Sequence, residues 1–130
     1  MKVYVFGNPD IKEDRNAFLA TDYLRDKMTE IEFKLMDISD EVSFDSENPV
    51  IMDVVLGIDE VTQFSDIDEV ELPPRVSAHD FDLGFQLKYL KKIGKINKAT
   101  VIGIPMKEKI DYERIIFILR KLVAQDMQGS

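Results

Sequence analysis

The sequence has 130 residues, of which 45% are hydrophobic and 32% are charged, and it contains no cysteine. This length and mixture fit one globular domain and exclude a disordered tail. The lack of cysteine excludes a disulfide framework, a thiolate zinc site and a cysteine nucleophile. No apolar run is long enough to cross a bilayer and the first residues lack the pattern of a signal peptide, so we expect no membrane insertion and a cytoplasmic location.

Charge is distributed unevenly along the chain. The net charge is −8, which argues against nucleic acid as a partner. Between Leu35 and Pro74 there are 12 acidic residues and no Lys or Arg, so the rest of the chain has an excess of four positive charges. This acidic stretch is either a solvated edge or a surface that attracts a metal cation or a basic partner segment.

In the first half of the chain, hydrophobic periodicity predicts three strands and one helix. Residues 2–6 predict a buried first strand, and residues 15–28 predict a helix for which Asp14 is placed as the N-cap. Residues 31–37 alternate apolar and polar side chains, which predicts a second strand near a sheet edge. The apolar run at 50–57 predicts a third, deeply buried strand.

The second half predicts two more strands and two more helices. Residues 67–73 predict a short strand of uncertain direction, for which an antiparallel placement is possible. Residues 81–94 predict a helix that ends at a glycine, and residues 99–105 predict a buried strand. Residues 111–125 predict a strongly amphipathic helix, and we interpret its apolar stripe, including Phe117, as core.

This succession predicts one α/β domain over residues 1–127, with a frayed tail at 128–130. We expect three layers, α/β/α, around a mostly parallel sheet of about five strands. Because open sheets of this kind bind ligands at the carboxyl ends of their strands, the turns after the first and third strands are the places to search for a site.

Asp53 is the clearest single indication of such a site. It lies inside the apolar run V50-I51-M52-D53-V54-V55. A buried carboxylate is costly unless a cation, backbone N–H groups or a metal compensates it. Near the end of a central strand, we interpret Asp53 as functional.

The loop at 7–14 is acidic and has one glycine, so it does not match the G-x-G-x-x-G pattern, and no G-x-x-x-x-G-K-[ST] occurs in the chain. Binding of a nucleotide through a phosphate loop is therefore disfavoured. Asp14, at the end of this loop, has two interpretations: a helix N-cap or a ligand carboxylate.

His79 is the one histidine of the chain. Ser77 and Asp80 form a capping-box pattern that places His79 in the first turn of a helix, where the helix dipole disfavours the imidazolium form. A neutral imidazole together with two carboxylates would form a nitrogen and oxygen site suited to nickel, zinc or a similar ion.

Four motifs together resemble the hydrogenase maturation endopeptidases. They are Gly7-Asn8 followed by Glu13-Asp14, the strand IMDVVLG with Asp53, the SAHD segment with His79 ahead of a leucine-rich helix, and Gly103-Ile104-Pro105 in the last strand. Their order and separations match the family pattern over residues 1 to 105.

The resemblance implies a protease that removes the C-terminal extension of a nickel–iron hydrogenase large-subunit precursor after nickel is loaded. It implies that Asp14, Asp53 and His79 are the metal ligands and catalytic residues, with Glu13 as the alternative to Asp14. The nickel would be supplied by the precursor, and metal activation would explain hydrolysis without a serine or cysteine nucleophile. We expect this precursor as the partner and a monomeric protease.

Other functions stay open. Arg15-Asn16-Ala17 stand where the family has G-x-G, and the segment after the second strand is short, which leaves room for a noncatalytic assembly factor that binds nickel or precursor. An acid pair near the first strand and an Asp on the third strand also occur in receiver-like signalling modules. The chain fits these poorly, because its last strand ends in Ile104-Pro105 and has no lysine there. A small-ligand-binding α/β module is a further alternative.

Overall fold

The computed structural model describes residues 1–7, 12, 15–36, 43–65 and 78–128, and at 78–82 it describes the backbone alone. Apart from a short strand at Thr62–Phe64, the described strands and helices follow one another in the predicted order. They are β1 (Lys2–Phe6), α1 (Asn16–Lys27), β2 (Glu32–Met36), β3 (Val50–Val55), β4 (Thr62–Phe64), α2 (Ala78–Lys92), β5 (Thr100–Pro105) and α3 (Tyr112–Gln128). The last helix reaches the first residue of the predicted tail, and the remaining two residues lie outside the described part of the chain.

The strands form one five-stranded sheet in the order β2-β1-β3-β5-β4. The pairs β1–β2, β1–β3 and β3–β5 are parallel, and β4 runs antiparallel to β5. The mostly parallel α/β sheet predicted from the sequence is thus confirmed. β3 lies at its centre, where Met52 pairs with Val5 of β1 and Asp53 pairs with Gly103 of β5.

β2 forms one edge of the sheet, as its half-polar pattern predicted. Phe33 is buried, whereas Leu35 is 48% exposed although it lies on the same side of the strand. An edge strand has a neighbour on one side only, so its end is less completely covered than a central strand.

β4 forms the other edge and was not predicted. The predicted strand at 67–73 lies outside the described residues. β4 has only three residues, Thr62–Phe64, and all three are half-buried, so it has too little hydrophobic alternation to be recognised in the sequence. Its antiparallel pairing with the free edge of β5 is what makes it a strand.

The helices cover both faces of the sheet, which gives the three predicted layers. On one face, α1 and α3 pack against alternate residues of the central strands; this cluster includes Val3, Val5, Met52, Val54, Ile102, Ile104, Ala17, Ala20, Leu24, Ile115 and Leu119. On the other face, α2 packs against the intervening residues; this cluster includes Tyr4, Phe6, Ile51, Val101, Leu83 and Leu87. The period of two along each strand thus decides which helix a residue meets.

Phe117 is not a core residue, and this part of the sequence interpretation is wrong. Its side chain is 68% exposed, whereas Ile115 and Leu119 of the same helix are fully buried. Residues two apart on a helix are separated by about 200°, so Phe117 lies on the side opposite its buried neighbours.

The end of α2 follows a common capping pattern, whereas the start of α1 differs from the prediction. After α2, Gly94 has φ +80°, and the N–H of Lys95 donates to the carbonyl of Leu90 at 2.9 Å, which is the pattern of a Schellman cap. At α1 the N-cap position is Arg15, which makes no side-chain capping bond, and the predicted cap, Asp14, lies outside the described residues.

Among the helices described, none is long and apolar enough to cross a membrane.

Candidate functional site

Asp53 is the described member of the predicted metal site. It is the fourth of six residues in β3, in the half of the strand that leads to the carboxyl edge of the sheet. Its side chain is 4% exposed, and its Oδ1 accepts a hydrogen bond from the N–H of Val54 at 2.8 Å. The prediction of a buried aspartate on a central strand is therefore confirmed.

On the side that faces β5, the residue next to Asp53 is a glycine, Gly103. Asp53 pairs with Gly103, and a Cβ added to Gly103 would lie 3.0 Å from Val55 Cγ2, 3.0 Å from Phe64 Cε2 and 3.2 Å from Ile58 Cδ1. These apolar groups occupy the space over Gly103, so Asp53 is bordered on this side by a low-polarity wall. In such surroundings a charged ligand of the carboxylate would be held more strongly than in water.

On its other side, Asp53 lies next to the end of β1. Val5 pairs with Met52, so continuing the register by one residue places Phe6 beside Asp53. Phe6 is buried on the α2 face, and Gly7 follows it with φ +150°, a conformation open to glycine and strained for other residues. Gly7 is therefore a position at the end of β1, beside the candidate site, where the backbone favours glycine.

The backbone of His79 lies in the first turn of α2, as predicted. Its side chain is outside the described part of the structure. α2 is followed by residues 93–99 and then by the amino end of β5, so the start of the helix lies toward the opposite, carboxyl edge of the sheet. His79 stands four residues before Leu83 and eight before Leu87, both buried against the sheet, and so occupies the same row of the helix.

Asp14 and Glu13, the remaining predicted ligands, lie outside the described residues. What the structure does describe is the helix start that follows them. The Asn16 side-chain amide donates to the carbonyls of Pro105 at 3.1 Å and Lys107 at 2.8 Å, so the first residue of α1 is fixed to the end of β5. This arrangement brings the beginning of α1 to the same edge of the sheet as Asp53.

A second link joins the turns that follow β3 and β5. The Lys107 ammonium donates to the carbonyl of Asp59 at 2.7 Å. Together with the two bonds of Asn16, it ties the start of α1, the turn after β3 and the loop after β5 into one unit. These three hydrogen bonds connect described segments that meet at the carboxyl edge.

A cleft of about 480 Å³ opens at this edge between the start of α1 and the loop after β5. Among the residues that the structure describes, the charged ones that line it are Lys12, Arg15, Lys107 and Glu108.

Within the described ranges, no group of three His, Cys, Asp or Glu side chains is placed to hold a metal ion. Two of the three residues predicted to do so belong to the segments or side chains outside those ranges. Asp53 with its carboxylate fits a hard or borderline cation, and the assignment of Asp14 and His79 as its partners stays a prediction.

The sequence did not reveal the roles of two residues at this edge. Gly103 was noted as part of the Gly-Ile-Pro motif, but its place beside Asp53 depends on the register of β3 and β5. Asn16 was noted as part of the segment that departs from the family pattern, but its hydrogen bonds join positions 89 and 91 residues apart in the sequence, which no local pattern reveals.

No protein-family model matches the chain, and no curated protein matches its sequence. Comparison of structures does find likeness. The hydrogenase maturating endopeptidase HybD from E. coli is similar over 100% of this chain and 94% of its own, with a TM-score of 0.62 and 16% identity.

Two further structures are similar at lower TM-scores. An endopeptidase from Escherichia coli, solved in solution, covers 81% of this chain and is itself covered over 74%, with a TM-score of 0.50 and 19% identity. The crystal structure of an uncharacterized protein from Wolinella succinogenes has a TM-score of 0.52 at 14% identity, with 99% of this chain and 98% of that one covered. At these identities the likeness concerns the fold alone, so the chain has the fold of the hydrogenase maturating endopeptidase HybD, whose family its motifs resemble.

Proposed function

We propose that this protein is an endopeptidase that removes the C-terminal extension of a nickel–iron hydrogenase large-subunit precursor after nickel insertion. The observation that carries the proposal is Asp53, a buried carboxylate on the central strand of a fold shared along the whole chain with the HybD endopeptidase. Buried charges are found where a function requires them, and the carboxyl edge is where sheets of this kind bind ligands.

The proposed chemistry needs three side chains around the nickel of the precursor. Asp53 and Asp14 would supply oxygen ligands, with Glu13 as the alternative to Asp14, and His79 would supply a nitrogen ligand. Imidazole and carboxylate ligands suit nickel. The position of His79 in the first turn of α2 favours the neutral imidazole that a metal requires.

Nickel carried by the precursor would supply Lewis-acid activation of the scissile peptide. The contribution of this chain is to hold that substrate in place. The hydrogen bond from the Val54 N–H fixes the orientation of the Asp53 carboxylate, and the apolar wall over Gly103 limits access of water on one side. Both effects would hold the scissile peptide bond in a fixed position for hydrolysis.

A noncatalytic assembly factor is the second candidate, and the start of α1 favours it. Arg15 has helical backbone angles and the Asn16 amide is bonded to two carbonyls, so this helix start is rigid where the family has glycines. Such a protein would bind the nickel-loaded precursor without cutting it.

The test is to mix the protein with the precursor large subunit of its host's nickel–iron hydrogenase, nickel-loaded or metal-free, and to follow the precursor by intact mass. We expect release of a C-terminal peptide from the nickel-loaded form alone. Asp14→Asn, Asp53→Asn and His79→Ala should each abolish release, whereas Asp59→Asn, which changes an exposed acid on the turn after β3, should retain it.

Three results would change the conclusion. Stable binding without peptide release would establish the assembly factor instead. Neither binding nor release would reject the hydrogenase partner, and undiminished release by Asp53→Asn would reject the proposed site. The proposal also places the protein in the cytoplasm as a monomer, and light scattering after size-exclusion chromatography measures the latter.

A further inference from the structure

The outer side of α2 carries large apolar side chains that are exposed to solvent. Phe85, Tyr89 and Ile93 are 65%, 55% and 48% exposed. They are spaced by four residues, so they form one row along the helix and its first following residue. Leu83 and Leu87, on the other side, are buried against the sheet. α2 is therefore apolar on two sides, and among the described residues the sheet covers one of them.

Basic residues accompany this row from its middle to its end. Four lysines, Lys88, Lys91, Lys92 and Lys95, stand between Phe85 and the residues just after α2, and no acidic residue lies among them, although the whole chain has a net charge of −8. Lys88 and Lys92 are exposed and stand three residues after Phe85 and Tyr89, respectively, which places each of them beside an aromatic ring. We call Phe85, Lys88, Tyr89, Lys92 and Ile93 the aromatic–lysine face.

Single exposed apolar residues are normal on protein surfaces. A row of two aromatic side chains and an isoleucine on one helix side is different, because contiguous apolar patches mark interaction sites and aromatic side chains dominate binding energy in protein interfaces. The lysines specify the charge of what would cover this row. A partner with carboxylates around an apolar centre would be attracted, and a basic one would be repelled.

The face is continuous with the candidate site. α2 begins at the carboxyl edge, with His79 in its first turn, and the exposed row starts six residues later at Phe85. Helical residues rise by about 1.5 Å each, so this separation is about 9 Å along the axis. A polypeptide that is bound at the carboxyl edge can therefore extend onto the face without crossing the sheet.

We propose that the aromatic–lysine face docks an acidic, partly apolar segment of the hydrogenase large-subunit precursor. Apolar side chains of that segment pack between Phe85 and Tyr89, and its carboxylates pair with Lys88 and Lys92. The inference rests on the proposed function for the identity of the partner. It adds a contact remote from the cleaved bond, which would position the precursor while Asp53 acts at the carboxyl edge.

The test measures affinity and cleavage separately. Binding of the metal-free precursor, which we expect the protein not to cut, is measured by calorimetry. We expect the double substitution Phe85→Ser with Tyr89→Ser to weaken binding by at least about tenfold. Lys88→Glu with Lys92→Glu should weaken it as well, and added salt should reduce the affinity of the unsubstituted face more than that of this charge variant. With the nickel-loaded precursor as substrate, KM should rise in both variants while kcat changes little.

Phe117→Ser is the matched control, because Phe117 is an equally exposed phenylalanine on α3, across the sheet from α2. Circular dichroism checks that all variants remain folded. If the Phe85 and Tyr89 substitutions leave the affinity unchanged and the parent protein still cuts the precursor, the docking proposal is wrong and the proposed function stands. An equal loss with Phe117→Ser overturns the docking proposal too. If the Phe85 and Tyr89 substitutions instead dissociate a dimer of the free protein, the face belongs to a second copy of the chain. If the parent protein neither binds nor cuts the precursor, the proposed function fails together with this inference.

Discussion

Asp53 of β3 and Gly103 of β5 are register partners on adjacent parallel strands, so a buried carboxylate lies beside a position without a side chain. The space over Gly103 is occupied by the ends of Val55, Ile58 and Phe64. A charged group and an apolar wall thus lie next to each other at the carboxyl edge of the sheet. Their juxtaposition allows function and stability to be tested independently.

Asp53→Asn should abolish activity without destabilising the fold. An asparagine oxygen can still accept the hydrogen bond that the Val54 N–H donates at 2.8 Å, and the amide has nearly the same volume as the carboxylate. We therefore expect the free energy of unfolding in urea to stay within about 1 kcal/mol of the parent, while cadmium or nickel binding and peptide release are lost. Asp53→Asn unfolding far more easily than the parent would indicate a structural role for the charge.

Gly103→Ala should destabilise the protein by about 1 to 3 kcal/mol, because the new methyl group would approach Val55 and Phe64 to 3.0 Å. The free energy of unfolding from urea titration measures the loss. Because the crowding atoms are side-chain ends, the additional substitution Val55→Ala should recover part of the lost stability.

Gly94→Ala is the control for Gly103→Ala. Nothing lies within 4 Å of the position where its Cβ would be, but its φ is +80°. We expect a loss of about 1 to 2 kcal/mol from backbone conformation alone, and Gly94→Asn should lose less, since asparagine tolerates this region better. An equal rescue of Gly94→Ala by Val55→Ala would contradict the steric explanation for Gly103.

Asn16→Ala should reduce stability by about 1 to 2 kcal/mol, because two hydrogen bonds to the carbonyls of Pro105 and Lys107 are lost. Asn16→Asp should cost at least as much, since a carboxylate cannot donate to these carbonyls. Asn97→Ala, at an exposed position after α2, is the matched control and should be close to neutral. Thermal and urea unfolding measure all three variants. An Asn16→Asp variant as stable as the parent would show that these bonds do not hold α1 to β5.

The ion pair of Lys2 and Asp45 should be visible in a titration. Lys2 Nζ donates to Asp45 Oδ2 at 2.6 Å, and this hydrogen bond lowers the pKa of Asp45 below its ordinary value and raises the pKa of Lys2. The Asp45 contribution to stability is therefore present above the unfolded carboxyl pKa and is lost as the pH falls through the lowered folded pKa. The Lys2 contribution is lost as the pH rises through its raised folded pKa.

The effect on stability should be small, because both groups are at the surface and are screened by salt. Carbon-detected NMR titration of the Asp45 carboxyl measures the pKa directly. Lys2→Met should return the Asp45 midpoint toward its ordinary value, and high salt should do the same in part. An Asp45 midpoint that is identical in Lys2→Met and the parent would rule out this pairing in solution.

The strands and helices with a regular apolar period could be predicted from the sequence. Val3, Val5, Met52 and Val54 belong to runs with enough large aliphatic side chains to form buried strands, and the leucines of α2 recur at helical spacing. The run around Asp53 also showed that a carboxylate is buried, since its apolar neighbours leave the strand no exposed face.

Other features depended on contacts between distant parts of the chain. β4 forms because the edge of β5 offers hydrogen bonds to Thr62–Phe64. The sequence of these three residues alone does not predict a strand. Phe117 was predicted to be buried because periodicity gives the stripe but not its width, and the structure leaves it on the solvent side of α3.

The sequence by itself indicated the order of the helices and of the four longer strands and the buried position of Asp53, because these depend on local patterns of apolar and polar residues. Short motifs carried the likeness to a protease family. Only the tertiary structure decided that Gly103 lies beside Asp53, that Asn16 holds α1 to the end of β5, and that Phe85 and Tyr89 are left uncovered by the sheet. The physical reason is that strand register, long-range hydrogen bonds and the width of a packed face are set by the assembly of several elements.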